Sequence, residues 1–140
     1  MKCLVFAPGI MGSGLKNEKG SVWPPTTMEA VFGYKRIKYL LASNLKPTEP
    51  IRSVGPMGVY KTLLNDIRAC GYSTGNHNKR FLSFPYDWRQ PNATSADKLA
   101  NLLDTTFPDP PEDLSVTLLG HSMGGLVMRY LLESGKYNSR

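Results

Sequence analysis

Apolar and polar positions along this chain follow two different periods, and the switches between them mark its elements. Cys3 to Ala7, CLVFA, is an unbroken apolar run that predicts a fully buried strand. From Gly58 a helical period takes over: Val59, Leu63, Ile67 and Cys70 mark one face, and Gly71 stands as the stop. Phe81 to Phe84 predicts a second strand, which runs into Tyr86-Asp87-Trp88-Arg89. Ser95 to Phe107 places Leu99, Leu102, Leu103 and Phe107 on one side of a second helix, with Ser95 as its cap and Pro108 as its breaker. Val116 to Leu119 reads as a third buried strand. Leu126, Val127, Tyr130 and Leu131 then form one face of a third helix that Gly135 stops.

This strict alternation of strand and helix predicts an α/β fold with parallel strands and right-handed helical crossovers. Residues 16–57 interrupt it. Val22-Trp23-Pro24-Pro25, the basic aromatic cluster Tyr34 to Leu41 and the series Pro47, Pro50 and Pro56 sustain neither period. An insertion of this length is expected to be a lid-like segment or a packed surface loop. As a lid it would offer Trp23 and the Tyr/Lys cluster to a lipid interface, making peripheral membrane contact the expected role of 16–57.

Composition narrows the setting. The chain has 140 residues, 41% of them hydrophobic, enough for one domain at most. Residues 16–61 carry eight Lys/Arg against three Glu, so most of the net charge of +6 sits there. Such a patch suits an anionic lipid surface or a plain solvated face, and no nucleic-acid-binding motif accompanies it. Cys3 and Cys70 lie in apolar segments and read as core residues. With no secretory leader and no apolar run near the roughly 20 residues of a membrane span, the expected location is cytoplasmic. The sequon Asn92-Ala93-Thr94 carries no meaning without secretion.

The chemistry gathers between the third strand and the third helix. Gly120-His121-Ser122-Met123-Gly124 is a G-x-S-x-G nucleophile elbow in strand–turn–helix context. A serine hydroxyl attacks poorly until a turn holds it clear of the sheet, near a base and beside oxyanion donors. Ser122 is the candidate nucleophile, and the Met123 N–H at the helix start is one candidate donor. A glycine-rich loop, Pro8-Gly9-Ile10-Met11-Gly12-Ser13-Gly14, follows the first strand and offers the Ile10 N–H as the second. It is no P-loop, because Leu15 stands where the phosphate-binding Lys is needed. No metal or organic cofactor is required.

The base is the missing part. Such an elbow is followed along the chain by an acid and then a histidine, whereas His77 lies upstream in a polar loop and His121 is aimed elsewhere by the turn itself. The expectation is an N-terminal piece of a longer enzyme. Asp87 precedes Ser122, the wrong order for the triad acid. A structural network of Tyr86, Asp87, Trp88 and Arg89 at the strand end is expected instead.

Pro8-Gly9-Ile10-Met11-Gly12-Ser13 with Leu15, Val22-Trp23-Pro24, Tyr86-Asp87-Trp88-Arg89 and Gly120-His121-Ser122-Met123-Gly124-Gly125 occur together and in order. Together they resemble the lecithin:cholesterol acyltransferase family, which includes lysosomal phospholipase A2 and phospholipid:diacylglycerol acyltransferase. The resemblance implies an α/β-hydrolase fold, here a partial parallel sheet with helices on both faces and the first strand central. It also implies that Ser122 takes an acyl group from a lipid ester and hands it to water or an alcohol, with Ile10 and Met123 as oxyanion donors. The competing expectation is a non-catalytic lipid- or partner-binding module that keeps the elbow as scaffold.

Overall fold

A computed structural model describes residues 1–137. In chain order the elements are β1 (Lys2–Ala7), β2 (Ser13–Asn17), β3 (Gly20–Trp23), α1 (Thr27–Phe32) and a 3-10 turn (Ile37–Leu41). There follow β4 (Lys46–Pro50), β5 (Ser53–Val54), β6 (Met57–Gly58), α2 (Lys61–Ala69), β7 (Lys79–Ser83), α3 (Asn92–Thr106), β8 (Ser115–Gly120) and α4 (Met123–Glu133).

The central sheet has the order β7-β1-β8 and is parallel throughout, with Val5 opposite both Leu82 and Leu118. Successive side chains of β1 serve opposite faces. Cys3, Val5 and Ala7 enter a cluster with Ala96, Leu99, Val127, Met128 and Leu131 of α3 and α4. Phe6, with Leu4 beside it, packs on Tyr60, Leu64 and Ile67 at α2. Both faces of β1 are covered, which is why its sequence is a continuous apolar run rather than an alternation.

Four expectations need correction. β8 flanks a central β1 as expected, but it is not a buried strand: Val116 is exposed because β8 has a neighbour on one side only. The buried stripe of α2 is Tyr60, Leu64 and Ile67, one position round from the stripe expected. Val59 precedes the helix and is exposed, and Cys70 lies past its end, exposed where Gly71 turns the chain at φ 88°. Ser95 does not cap α3: the helix begins at Asn92 with Pro91 at the cap, which puts Ser95 buried inside the first turns. On α4 the buried face is Val127, Met128 and Leu131, while Leu126 and Tyr130 of the expected face are exposed.

Residues 16–57 hold more regular structure than their periodicity indicates. With Ser13–Leu15 they build a small antiparallel sheet, β3-β2-β4, that brings Leu15, Val22 and Leu45 into the larger cluster. Its strands are too short and too irregular in register to show a period, and β4 tolerates Pro47 and Pro50 because it lies at an edge.

Candidate functional site

Two loops leave the carboxyl ends of neighbouring parallel strands side by side. Ala7 of β1 is paired with Gly120 of β8, and the His121 N–H donates to the Ala7 carbonyl at 3.0 Å. Ser122 follows with φ 52° and ψ −124°, a backbone conformation that costs an L-residue energy and persists only where the surroundings enforce it.

The surroundings are glycine contacts. A Cβ on Gly120 would lie 2.6 Å from the Gly125 Cα, so only a residue without one lets α4 start so close to β8. A Cβ on Gly124 would lie 2.3 Å from the Ala7 carbonyl oxygen and 2.5 Å from that of Pro8. The spacing of two before and two after Ser122 is thereby explained in atoms. Ser122 itself is exposed at the start of α4.

The facing loop, Pro8 to Ser13, lies directly against this turn: a Cβ on Gly9 would sit 3.1 Å from the Ser122 Cβ. Its own fold is a tight turn in which the Gly12 N–H donates to the Gly9 carbonyl at 2.9 Å, with Met11 at φ 58°. Long-range bonds fix it. Tyr86 Oη donates to the Pro8 carbonyl at 2.9 Å, Ser13 Oγ accepts the Tyr86 N–H at 3.1 Å, and Trp88 Nε1 donates to the Ser13 carbonyl at 3.1 Å. Trp23 Nε1 donates to the Met11 carbonyl at 2.8 Å, and the Ile51 N–H to the Gly12 carbonyl at 2.9 Å. The Gly9 N–H donates to Tyr60 Oη at 2.9 Å, and Tyr60 Oη in turn lies 2.8 Å from His121 Nδ1.

Within this frame the backbone N–H groups of Ile10, Met11, Ser122 and Met123 meet no acceptor outside regular helix and strand bonding among the described residues. They belong to the glycine loop and the Ser122 turn. The Met123 amide stands on the first turn of α4, and no carboxylate is bonded into either loop among the described residues.

Asp87 and Arg89 lie behind the loop. Their ion pair closes at 2.7 Å, with Asp87 only 5% exposed, and Arg89 extends the network by donating to the Leu40 and Ala42 carbonyls at 2.5 and 2.7 Å. Burial raises the Asp87 carboxyl, but hydrogen bonds from the Arg89 side chain and backbone, its charge and a bond from Gln90 outweigh it and hold the group below the usual range. Burial, with Tyr60 nearby, pushes the Tyr86 phenol upward, so it stays a neutral donor to Pro8. Tyr86 to Arg89 therefore touch the loop and its support, not Ser122.

Among the described residues neither histidine is hydrogen-bonded to the serine hydroxyl. His121 is engaged by Tyr60, and exposed His77 precedes β7, on the rim of the sheet opposite to Ser122. Among the described residues no cluster of His, Cys, Asp and Glu could hold a metal, and no helix is long and apolar enough to cross a membrane. Tyr60 is the site residue that the sequence pattern missed: it stands at the edge of a helix and its partners are 51 and 61 positions away.

The family model for lecithin:cholesterol acyltransferase matches residues 15–139. The chain belongs to that family. The match takes in Tyr86 to Arg89 and the Ser122 turn and begins just past the Pro8–Gly14 loop. A lecithin:cholesterol acyltransferase-family chain of this kind is also similar to the uncharacterized protein YJR098C of Saccharomyces cerevisiae, at 25% identity over 142 residues. That alignment covers 93% of this chain and 20% of the yeast protein, so the chain spans about a fifth of its relative's length. No solved structure matches the chain.

Proposed function

We propose that this chain carries the nucleophile and oxyanion hole of a serine-dependent lipid acyltransferase or lipase of the α/β-hydrolase fold. Ser122 Oγ attacks the carbonyl carbon of an ester, and the Ile10 and Met123 N–H groups stabilise the tetrahedral oxyanion. Collapse breaks the bond to the leaving alkoxide, which takes up the proton lost from Ser122. Water or an alcohol then attacks the acyl-enzyme, releases acid or a new ester, and returns a proton to Ser122. The observation that carries this reading is the strained backbone of an exposed Ser122, enforced by Gly120 and Gly124, against the Pro8–Ser13 loop.

The substrate class, lipid esters, follows in this proposal from family membership. Residues 16–57 fit the lid-like contact surface: Met28, Val31, Phe32, Ile37 and Leu41 are each at least 64% exposed, with Lys35 and Lys38 among them. Contact with the membrane is then peripheral, from the cytoplasmic side. Since His121 Nδ1 is engaged by Tyr60 and His77 lies at the opposite rim, the general base and its acid are taken to come from outside the described residues. A positioned base is worth about 10²- to 10⁴-fold. The 140-residue chain is therefore expected to turn over p-nitrophenyl esters negligibly while still reacting once, slowly, with a fluorophosphonate at Ser122.

Intact-mass and peptide mass spectrometry test this against Ser122→Ala. A single phosphonyl adduct on Ser122, absent from the variant, supports the reading; equal labelling of both chains overturns it. The exposed apolar surface of 28–41 also favours a second reading, a lipid-binding module without catalysis. That reading predicts vesicle binding with no Ser122 adduct.

A further inference from the structure

Tyr60 joins the two halves of the site through one atom. Its Oη accepts the Gly9 N–H at 2.9 Å and meets His121 Nδ1 at 2.8 Å. Gly9 immediately precedes Ile10, and His121 lies two residues before Met123. The glycine loop wraps the hydroxyl closely, since a Cβ on Gly12 would come within 2.9 Å of it.

Tyr60 is also anchored apart from these two bonds. The Tyr60 ring packs edge-on against Phe6 at 5.1 Å within the smaller core cluster. Its backbone N–H donates to the Ile51 carbonyl, and its carbonyl accepts the Leu64 N–H at the start of α2. The imidazole also stands edge-on to the phenol ring at 5.6 Å. A phenol oxygen that accepts one N–H still has a proton to give, so Tyr60 can donate to Nδ1 in the His121 tautomer whose proton sits on Nε2.

We infer that Tyr60 is a positioning residue, whose hydroxyl bridges Gly9 and His121 and thereby sets the spacing between the Ile10 and Met123 amides. The inference rests on the reading of Ser122 as nucleophile. An oxyanion donor acts only when it lies at bonding distance from the developing charge, so a shift of either loop lowers Ser122 reactivity without touching Ser122. Replacing Tyr60 by Phe keeps the ring in the core and removes only the bridge.

Three measurements on the full chain test it: fluorophosphonate labelling rate at Ser122, amide exchange of Gly9, and the ¹⁵N shift of His121 Nδ1. Tyr60→Phe is expected to slow labelling by about tenfold or more, with faster Gly9 exchange and a displaced Nδ1 resonance. Wild-type labelling in a variant whose Gly9 and His121 signals have moved overturns the positioning role, leaving a structural anchor. Unmoved signals overturn the bridge itself, whatever Ser122 does. If the wild-type chain is not labelled at all, the nucleophile reading falls and the positioning role falls with it, while the two spectroscopic signals still report on the bridge. His121→Ala is the second variant, should Tyr60→Phe not fold. It keeps the Gly9 bond, so a smaller slowing in the same direction supports the inference and a wild-type rate overturns it.

Discussion

The Ser122 rim and the segment from Thr26 to Leu41 hold their shapes by opposite means. At the rim, partners far apart in sequence meet in buried or part-buried surroundings: Tyr86 with Pro8, Trp88 with Ser13, Tyr60 with Gly9 and His121. The other segment relies largely on near neighbours. Thr26 and Glu29 form a capping box at α1, Arg36 closes on Glu29, and α1 buries none of its residues. Tyr34 reaches back to the Val22 carbonyl and Arg36 to those of Ser21 and Pro24, while Leu40 near the segment's end accepts from Arg89. The lesson is one of cooperativity. A loop fixed by long-range buried bonds opens only when the core does, whereas a locally closed segment can open by itself.

The largest effect that breaks this contrast is expected at Gly124. Gly124→Ala drives a methyl into two backbone carbonyls, and denaturant unfolding is expected to show a loss of more than about 3 kcal/mol. Next comes Arg89→Met, which leaves the buried Asp87 carboxylate without its partner at an expected cost of about 3 kcal/mol. Restoration of most of that loss by adding Asp87→Leu would locate the cost in the stranded charge; no restoration would place it in the Leu40 and Ala42 bonds.

Acid sharpens the same point. Asp87 has a folded pKa below its ordinary value of 3.8, so the stability it contributes is fully present above that value and is lost as pH falls through the folded one. An acid titration of unfolding midpoints should lose part of its low-pH slope in Asp87→Asn. A slope unchanged from wild type would assign the acid sensitivity to other carboxylates.

Smaller effects belong to the locally closed segment. Thr26→Ala removes the cap of α1, worth about 1 kcal/mol locally. Protease cleavage between Thr26 and Leu41 should accelerate while the global midpoint stays put, and a midpoint that moves with it would tie the segment to the core. Smallest of all is Phe32→Ser, at an exposed position, which should change stability by less than about 0.5 kcal/mol. Under the lipid-contact reading it nevertheless weakens binding to anionic vesicles.

Much of the scaffold was legible because periodicity is a local property. The three sheet strands and the three helices that flank them fall where the apolar runs and stripes lie, and β1 announced its burial by lacking any alternation. G-x-S-x-G was legible for a similar reason: its glycines answer to contacts within five residues and at the end of one neighbouring strand. Cys70 and Ser95 misled because a stripe does not say where a helix starts, and a shift of one position rotates its face by about 100°. The sheet in 16–57 escaped because strands of four or five residues with bulges leave too little pattern to count.

By itself, then, the sequence determined the alternating elements, the sharp serine turn and the Asp87–Arg89 pair, since each depends largely on residues close together along the chain. Only the tertiary structure decided which groups reach the turn. It gave Tyr60 its two partners, put Trp23 on Met11 and joined His121 to Tyr60. Those outcomes depend on how the layers pack across the sheet, and packing joins positions whose separation along the chain carries no period to read.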